Sequence, residues 1–230
     1  MDTLAEARDY DAMDHAEVNR RFVDDLLAAA AGNVVGEKLR GHAATLPHAG
    51  VERLPCVLDV GTGTAQIPIE LCRRPAACRV TAIDLSREML KLAERNIAAA
   101  GFSDRIGVQL VDARRLPFGD GAFDAVISNS IVHHIPDPEP VLAEMRRVVR
   151  PEGLLFVRDL LRPADSAAVE ALVAMYAGHE NEHSRAMFRA SLHAALTLDE
   201  VRQLLGGLGL PHEAAQRTSD RHWTVRACGF

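Results

Sequence analysis

From residue 54 to residue 160 the chain alternates short apolar runs with longer amphipathic stretches. Runs near 54–60, 79–84, 107–111, 124–129 and 153–159 read as strands, and the stretches near 64–74, 86–100 and 138–149 read as helices. Alternation of this kind specifies a parallel sheet with helices on both faces. Before it, residues 3–46 read as helical, with Phe22, Val23, Leu26 and Leu27 at helical spacing and Gly32 or Gly36 as interruptions. After it, residues 165–208 read as largely helical, and two last strands are expected near 213–218 and 222–228. No repeat or low-complexity tract appears. The expected organisation is one domain over 1–230, made of a helical cap (1–46), a core (50–160), and a helical insert with the last two strands (161–230).

Composition narrows the class. A chain of 230 residues with 48% hydrophobic content and a formal charge of −6 fits one domain with a substantial core. The first residues are acidic and polar, and no apolar run approaches the roughly twenty residues that span a bilayer. The expectation is a cytoplasmic protein without a membrane segment. Cys56, Cys72, Cys78 and Cys228 lie apart without a C-x-x-C pair, which reads as reduced thiols. The acidic balance and the lack of a basic stripe interleaved with aromatics argue against a nucleic-acid partner.

The most informative stretch is Val57-Leu58-Asp59-Val60-Gly61-Thr62-Gly63-Thr64-Ala65, an apolar run closing on an acid and then two glycines one residue apart. Gly61 permits a tight turn, and Gly63 lets backbone N–H groups approach a ligand that a Cβ would hold away. A dinucleotide fingerprint expects a third glycine where Gln66 stands, which argues against NAD or FAD. A second acid, Asp84, closes the run Arg79-Val80-Thr81-Ala82-Ile83, where a carboxylate can hold a ribose diol. Together these features define a nucleoside site without a phosphate grip.

Taken with Leu85-Ser86 after Asp84, Asp112-Ala113 after a third strand, Pro117-Phe118 before Phe123-Asp124-Ala125-Val126, and Leu142 through Gly153 leading into Leu154-Leu155-Phe156-Val157, this order and spacing resembles the class I S-adenosylmethionine-dependent methyltransferases. The resemblance covers roughly residues 50–160 and is to the small-molecule branch related to the ubiquinone and menaquinone C-methylating enzymes. Pro151-Glu152-Gly153 departs from the family's Pro-Gly-Gly but keeps the second glycine. The resemblance implies a Rossmann-like, seven-stranded, mostly parallel sheet with helices on both faces, a final antiparallel strand and an N-terminal helical lid. It implies S-adenosyl-L-methionine as cofactor, with Gly61, Thr62 and Gly63 backing the methionine portion and Asp59 ordering its ammonium end through the loop. Asp84 would accept from the ribose hydroxyls and Asp112 from the adenine amino group, with Leu85, Met89 and Ala113 against the ring. Asp84 also has a simpler reading as a helix-start acid before Ser86, and Asp112 as a turn residue.

The remaining candidates sit at the carboxyl ends of the strands, where such sheets bind ligands. Asn129 and Ser130 would stand beside the methyl donor, and His133 or His134 would serve as general base or hydrogen-bonding partner, or pack structurally. Polar clusters at Arg158-Asp159 and at Thr218 through Thr224, with Arg221 and His222, suggest a shaped acceptor pocket or an Arg–Asp network tying loops together. Arg158, Arg162 or Arg221 would suit a carboxylate or phosphate on a small-molecule acceptor. Tyr10, Met13, Asn19 and Arg20 read as a lid or a solvated face. Arg146, Arg147 and Arg150 read as an exposed helix face. His179 and His183, four apart, fall on one face of a helix, but no metal site is expected from them. The expected activity is methyl transfer to a small molecule by in-line attack on the sulfonium methyl. The alternatives are a non-catalytic protein that binds S-adenosylmethionine or S-adenosylhomocysteine, and a protein methyltransferase.

Overall fold

The computed structural model describes residues 7, 8, 11, 15–31, 34–39, 54–75 and 78–229. Seven strands hydrogen-bond in the order β3-β2-β1-β4-β5-β7-β6: β1 Cys56–Val60, β2 Arg79–Asp84, β3 Ile106–Leu110, β4 Phe123–Asn129, β5 Val149–Leu160, β6 Ala215–Arg217 and β7 His222–Cys228. The helices are α1 Ala16–Ala29, α2 Val34–Leu39, α3 Gln66–Arg73, α4 Arg87–Ala100, α5 Glu139–Val148, α6 Ser166–Ala177, α7 Glu182–Ala194 and α8 Leu198–Gly207. This is the Rossmann-like mixed sheet expected from the sequence. Two compact units make up the chain: Met1–Ser128 with Pro140–Phe156 and Cys228–Phe230, and Asn129–Glu139 with Val157–Ala227.

In the first unit β1 lies between β2 and β4, parallel to both, with Asp59 opposite Ala82 on one side and Ile127 on the other. A strand covered on both faces has no solvent side. That is why β4 is buried from Phe123 through Ser128. Helix α4 buries Met89, Leu90, Leu92, Ala93 and Ile97, one stripe at helical spacing. Its first turn is capped by the Ser86 hydroxyl, which accepts from Met89 N, and it ends on Gly101 in the left-handed region at φ 78°. The core joins Phe22 and Leu26 of α1 to Val57, Ile69, Ala82, Ile127 and Phe156. Phe22 meets Phe156 edge to face at 5.2 Å.

β5 begins four residues earlier than the run 153–159 suggests, because Pro151 hides the strand in a sequence reading. Gly153 is required there by close approach: a Cβ would come within 2.8 Å of the Asp124 carbonyl oxygen. The preserved second glycine of Pro151-Glu152-Gly153 is therefore a packing requirement.

The arginines read as an exposed face are partly withdrawn. Arg147 bonds the Phe118 and Leu116 carbonyls at 2.8 and 3.1 Å, Asp120 at 2.7 Å and Glu144 at 2.7 Å. Arg150 pairs with Asp124, whose other oxygen accepts from Cys56 N at 2.8 Å. A guanidinium carries five donors in a fixed fork, so one side chain can hold several carbonyls of the turn before β4. Arg147→Ala is expected to lower unfolding free energy by about 1–2 kcal/mol by leaving those carbonyls without a protein donor. Urea denaturation checks it, and an unchanged midpoint would make the clamp decorative.

Arg20 and Arg21 pair with Glu17 on the exposed face of α1, which places them on a solvated face, and Asn19 is buried. Tyr10 and Met13 lie outside the described residues. The four cysteines are free, with Cys72 and Cys78 buried. No described helix is long and apolar enough to cross a membrane.

In the second unit the segment read as largely helical resolves into three capped helices. Asp165 caps α6 and Asn181 caps α7, while Thr197 and Glu200 form a capping box on α8. Leu160, Val169, Val173, Leu192 and Ala195 form the core under α6 and α7. His179 lies in the turn between these helices, because Gly178 ends the first and Asn181 starts the second. His179 and His183 therefore do not share a helical face. β6 and β7 pair antiparallel, with Arg217 opposite Trp223. The expected strand at 213–218 shortens to Ala215–Arg217 because His212–Ala214 makes a tight turn.

Candidate cofactor loop and polar cluster

In the first unit β1 delivers Asp59 and Val60 directly into the loop 61–65. Gly61 and Gly63 have φ of 74° and 57°, the left-handed region where glycine has no steric cost. Ala65 adopts φ 63° as the residue that starts α3, a conformation that costs a non-glycine residue roughly 1–2 kcal/mol. The loop is fastened from below and from the side. Gly61 N and Thr62 N both donate to the Ile83 carbonyl at 2.9 Å, and Gly63 N donates to Asp84 Oδ2 at 2.9 Å. The other Asp84 oxygen accepts from Ser86 N at 2.8 Å. Asp84 thus ties the loop to the start of α4, and each oxygen retains a lone pair for a further donor.

Asn96 adds a support that the sequence reading missed. Its amide donates to the Thr64 carbonyl at 3.1 Å and to Asp11 at 2.9 Å, and Gln66 reaches the same Asp11 oxygen at 3.2 Å. The available signal was a polar residue on the buried stripe of α4, seven positions after Met89.

Asp59 is 2% exposed, and burial pushes its carboxyl up to about 7, partly offset by the neighbouring Thr62 hydroxyl and reinforced by the negative charge of Asp84. Asp59 Oδ2, Thr62 Oγ1 and Thr64 Oγ1 are buried without a hydrogen-bond partner in the protein. Orphaned polar atoms of this kind are rare and point to a missing partner. Leu85, 66% exposed, puts a large apolar side chain immediately after Asp84. Two Cβ-free backbone positions, unpartnered acceptors without a cation, and an exposed apolar side chain fit a cationic ligand that carries a flat nucleoside. S-adenosylmethionine has these features. Met89 is buried against Ala7 and Leu92. Asp112 is gripped by Arg114 through both oxygens, at 2.6 to 3.1 Å, and this guanidinium holds its carboxyl below the usual range. Ala113 follows in the same turn.

The second unit gathers the remaining predicted residues. Asn129 ends β4, and Ser130 follows at φ 59° with its N–H donating to the Arg158 carbonyl at 2.9 Å. Asp159 is 1% exposed and accepts from three donors at 2.6 Å: Val132 N, Leu160 N and His133 Nδ1. A neutral imidazole that donates from Nδ1 leaves its lone pair on Nε2. His134 packs against His133 at 4.0 Å between ring centres, with the two rings tilted by 43°. Burial, helped by His133 and opposed by Asp159, pulls His134 down to about 4.

Arg158 Nε donates to Thr224 Oγ1 at 3.0 Å, and that hydroxyl also bonds Thr218 at 2.8 Å. His222 Nδ1 bonds the Ser219 hydroxyl at 2.9 Å, and burial followed by Arg221 and Arg158 pushes this imidazole down to about 4. Arg221 lies 3.4 Å over the face of Tyr176, whose hydroxyl donates to Asp220 at 2.7 Å. Arg162 bonds the Ala195 carbonyl and Glu200, a structural tie of the insert. Thr218, Thr224, Ser219 and Tyr176 are the partners of the predicted charged residues. The fold brings Arg158 and Tyr176 to the stretch 218–224, in which the other three already lie together. Among the described residues no group of three or more His, Cys, Asp or Glu side chains could hold a metal ion.

Comparison with known proteins agrees with this architecture. Residues 58–157 match the family model of a methyltransferase domain. The chain is 32% identical over 108 residues to the ubiquinone/menaquinone biosynthesis C-methyltransferase of Geotalea daltonii, covering 46% of each protein. It is 30% identical over 191 residues to the 27-O-demethylrifamycin SV methyltransferase of Amycolatopsis mediterranei, covering 82% of this chain and 65% of that one. The chain thus spans about half the length of the first of these relatives and just under two-thirds of the second. A methyltransferase structure from Aquifex aeolicus superposes with a TM-score of 0.58 at 19% identity, covering 92% of this chain and 98% of that one, which shows the fold. Residues 58–157 match a methyltransferase domain whose relatives are S-adenosylmethionine-dependent enzymes of class I. The cofactor of such a domain is S-adenosyl-L-methionine.

Proposed function

We propose that the protein transfers the methyl group of S-adenosylmethionine to a small-molecule acceptor, and that the polar cluster of the second unit binds the acceptor and removes its proton. The observation that carries the catalytic part is the His133–Asp159 pair, a ring fixed in one tautomer by a buried carboxylate. When bound, the cofactor supplies an electrophilic methyl on a sulfonium, so no protein nucleophile is needed. The tasks left to the chain are holding, orienting and deprotonating. His133 Nε2 takes the proton from the acceptor atom, and Asp159 stabilises the resulting imidazolium. Its contacts to Val132 N and Leu160 N keep the carboxylate from following the ring. His134 and His222 stay neutral at ordinary pH, so they offer hydrogen bonds rather than charge. Arg158 and Arg221 supply the positive charge of the cluster, suited to a carboxylate or phosphate on the acceptor. The 27-O-demethylrifamycin SV methyltransferase acts, by its name, on a small molecule, which agrees in class with the proposed acceptor.

On the cofactor side Asp59, Gly61, Thr62, Gly63, Asp84, Leu85, Met89, Asp112 and Ala113, with Asn129 and Ser130, are the proposed binding residues. Calorimetry is expected to show micromolar binding of S-adenosylmethionine and S-adenosylhomocysteine and none of NAD. Asp84→Ala should weaken that binding by roughly 2–4 kcal/mol, since it removes an ionised acceptor of two hydroxyl bonds worth about 1.5–3 kcal/mol each. An unchanged dissociation constant in a folded variant would reduce Asp84 to its bonds with Gly63 and Ser86. NAD binding without a response to S-adenosylhomocysteine would overturn the cofactor assignment. The reaction itself is tested by S-adenosylhomocysteine release against pools of small metabolites, and by identifying what copurifies with the protein.

A further inference from the structure

Asp59 is a buried carboxyl at the start of the cofactor loop that has no ion pair among the described residues: its Oδ2 lacks a hydrogen-bond partner, and the Thr62 hydroxyl is the one side-chain group that favours its charge. β2 sets the carboxylate of Asp84 near it, a like charge. β4 places Ile127 opposite it and then Ser128, whose hydroxyl is spent on the Val60 carbonyl at 2.9 Å. Helix α3 begins with Gln66 and α4 contributes Asn96, both neutral and both engaged with the further acid Asp11. The loop adds the unpartnered hydroxyls of Thr62 and Thr64. The groups that act on Asp59 are thus a neutral hydroxyl and a like charge, and no described cation pairs with it. An isolated carboxylate in such a place is costly unless it takes a proton or meets a cation.

We propose that Asp59 couples cofactor binding to proton release: it carries a proton in the ligand-free protein and gives it up to solvent when the ammonium end of the cofactor arrives. The inference rests on the cofactor assignment above. The balance is simple: the neutral carboxyl loses one proton to water, and the ligand's ammonium charge replaces it beside the carboxylate. The sign follows from the ligand's preference for the ionised form. Affinity rises as pH climbs through the carboxyl's titration near 7 and levels off above it. The buried hydroxyls of Thr62 and Thr64 stand ready to donate to the newly charged oxygens.

The test is titration calorimetry of S-adenosylhomocysteine, which keeps the ammonium and lacks the sulfonium, in pH 7 buffers of different ionisation enthalpy. About half a proton is expected to leave per ligand bound, and the dissociation constant should tighten about tenfold between pH 6 and pH 8, as for one group titrating near 7. Adenosine, which has no ammonium, should bind without proton release. Asp59→Asn should bind S-adenosylhomocysteine with no buffer dependence between pH 6 and pH 8. Binding of S-adenosylhomocysteine without proton release, or with the same release in Asp59→Asn, overturns the inference and leaves the cofactor assignment standing. Failure of S-adenosylhomocysteine to bind at any pH overturns both. Should Asp59→Asn not fold, proton release by the parent protein with adenosine alone would by itself overturn the role of the ammonium.

Discussion

His133→Ala is expected to cut turnover by about 10²–10⁴-fold, the range for loss of a positioned general base, while cofactor affinity stays within about threefold of the parent. The residue is singled out by its partner. His133 donates a hydrogen bond from Nδ1 to Asp159, whereas His134 packs at a tilt against His133. Asp159→Asn should cost a comparable amount, because an amide that donates to Nδ1 would move the ring proton to Nε2 and remove the base. Asp159 also accepts from Val132 N and Leu160 N, so the structural loss has to be separated from the chemical one. Two readouts separate them. The double variant should be little worse than the more damaging single one, as for residues that act as a unit. The residual activity of Asp159→Asn should also remain low at temperatures well below its melting point. Full turnover in a folded His133→Ala would remove the base from this pair and favour a protein that binds the cofactor without using it.

The contrast between the two histidines shows where the sequence stops informing. Side by side in the chain, His133 and His134 are equivalent candidates. Their difference comes from Asp159, 26 positions away, and from the tight turn Val132–His134 that aims one ring at it. By contrast, β1 and its loop were legible, because an apolar run, an acid and two glycines each carry a local physical reason: burial, a strand-end acceptor and positive φ. Strands and helices of the first unit follow for the same reason. Arg147 and Arg150 were misread because Arg147 holds carbonyls and Asp120 of the distant turn before β4, while Arg150 is already on β5 and pairs with Asp124 of β4, and a charged residue in or just after an amphipathic helix looks solvated until its partner is known. His179 and His183 were misplaced because a helix boundary at Gly178 is invisible to a spacing argument that assumes one continuous helix. The orphaned state of Asp59 was unreadable as well. It depends on which neighbours fail to appear, and periodicity carries no information about that.

That orphaned state has a consequence for the ligand-free protein that needs no cofactor to measure. A carboxyl raised from 3.8 to about 7 in the folded state binds a proton over a window in which the unfolded chain has already lost it. Stability must then fall as pH rises through that window and become level above it, the reverse of the usual effect of a paired carboxylate. At 1.36 kcal/mol per unit, the loss between pH 5 and pH 8 amounts to about 3 kcal/mol. Asp59→Asn carries no proton to lose, so its stability relative to the parent should improve by about this amount over the same interval. Any constant cost of the amide would shift both pH values equally and cancel. Urea denaturation of the two proteins at pH 5 and pH 8 decides it, with the midpoint difference changing sign or growing in favour of Asp59→Asn at the higher pH. Saturating S-adenosylhomocysteine should preferentially stabilise the parent at pH 8, since its ammonium supplies the counter-charge that the loop lacks. A difference between the two proteins that is the same at both pH values would mean that Asp59 is ionised in the free protein, held by a partner other than its neighbours in the loop.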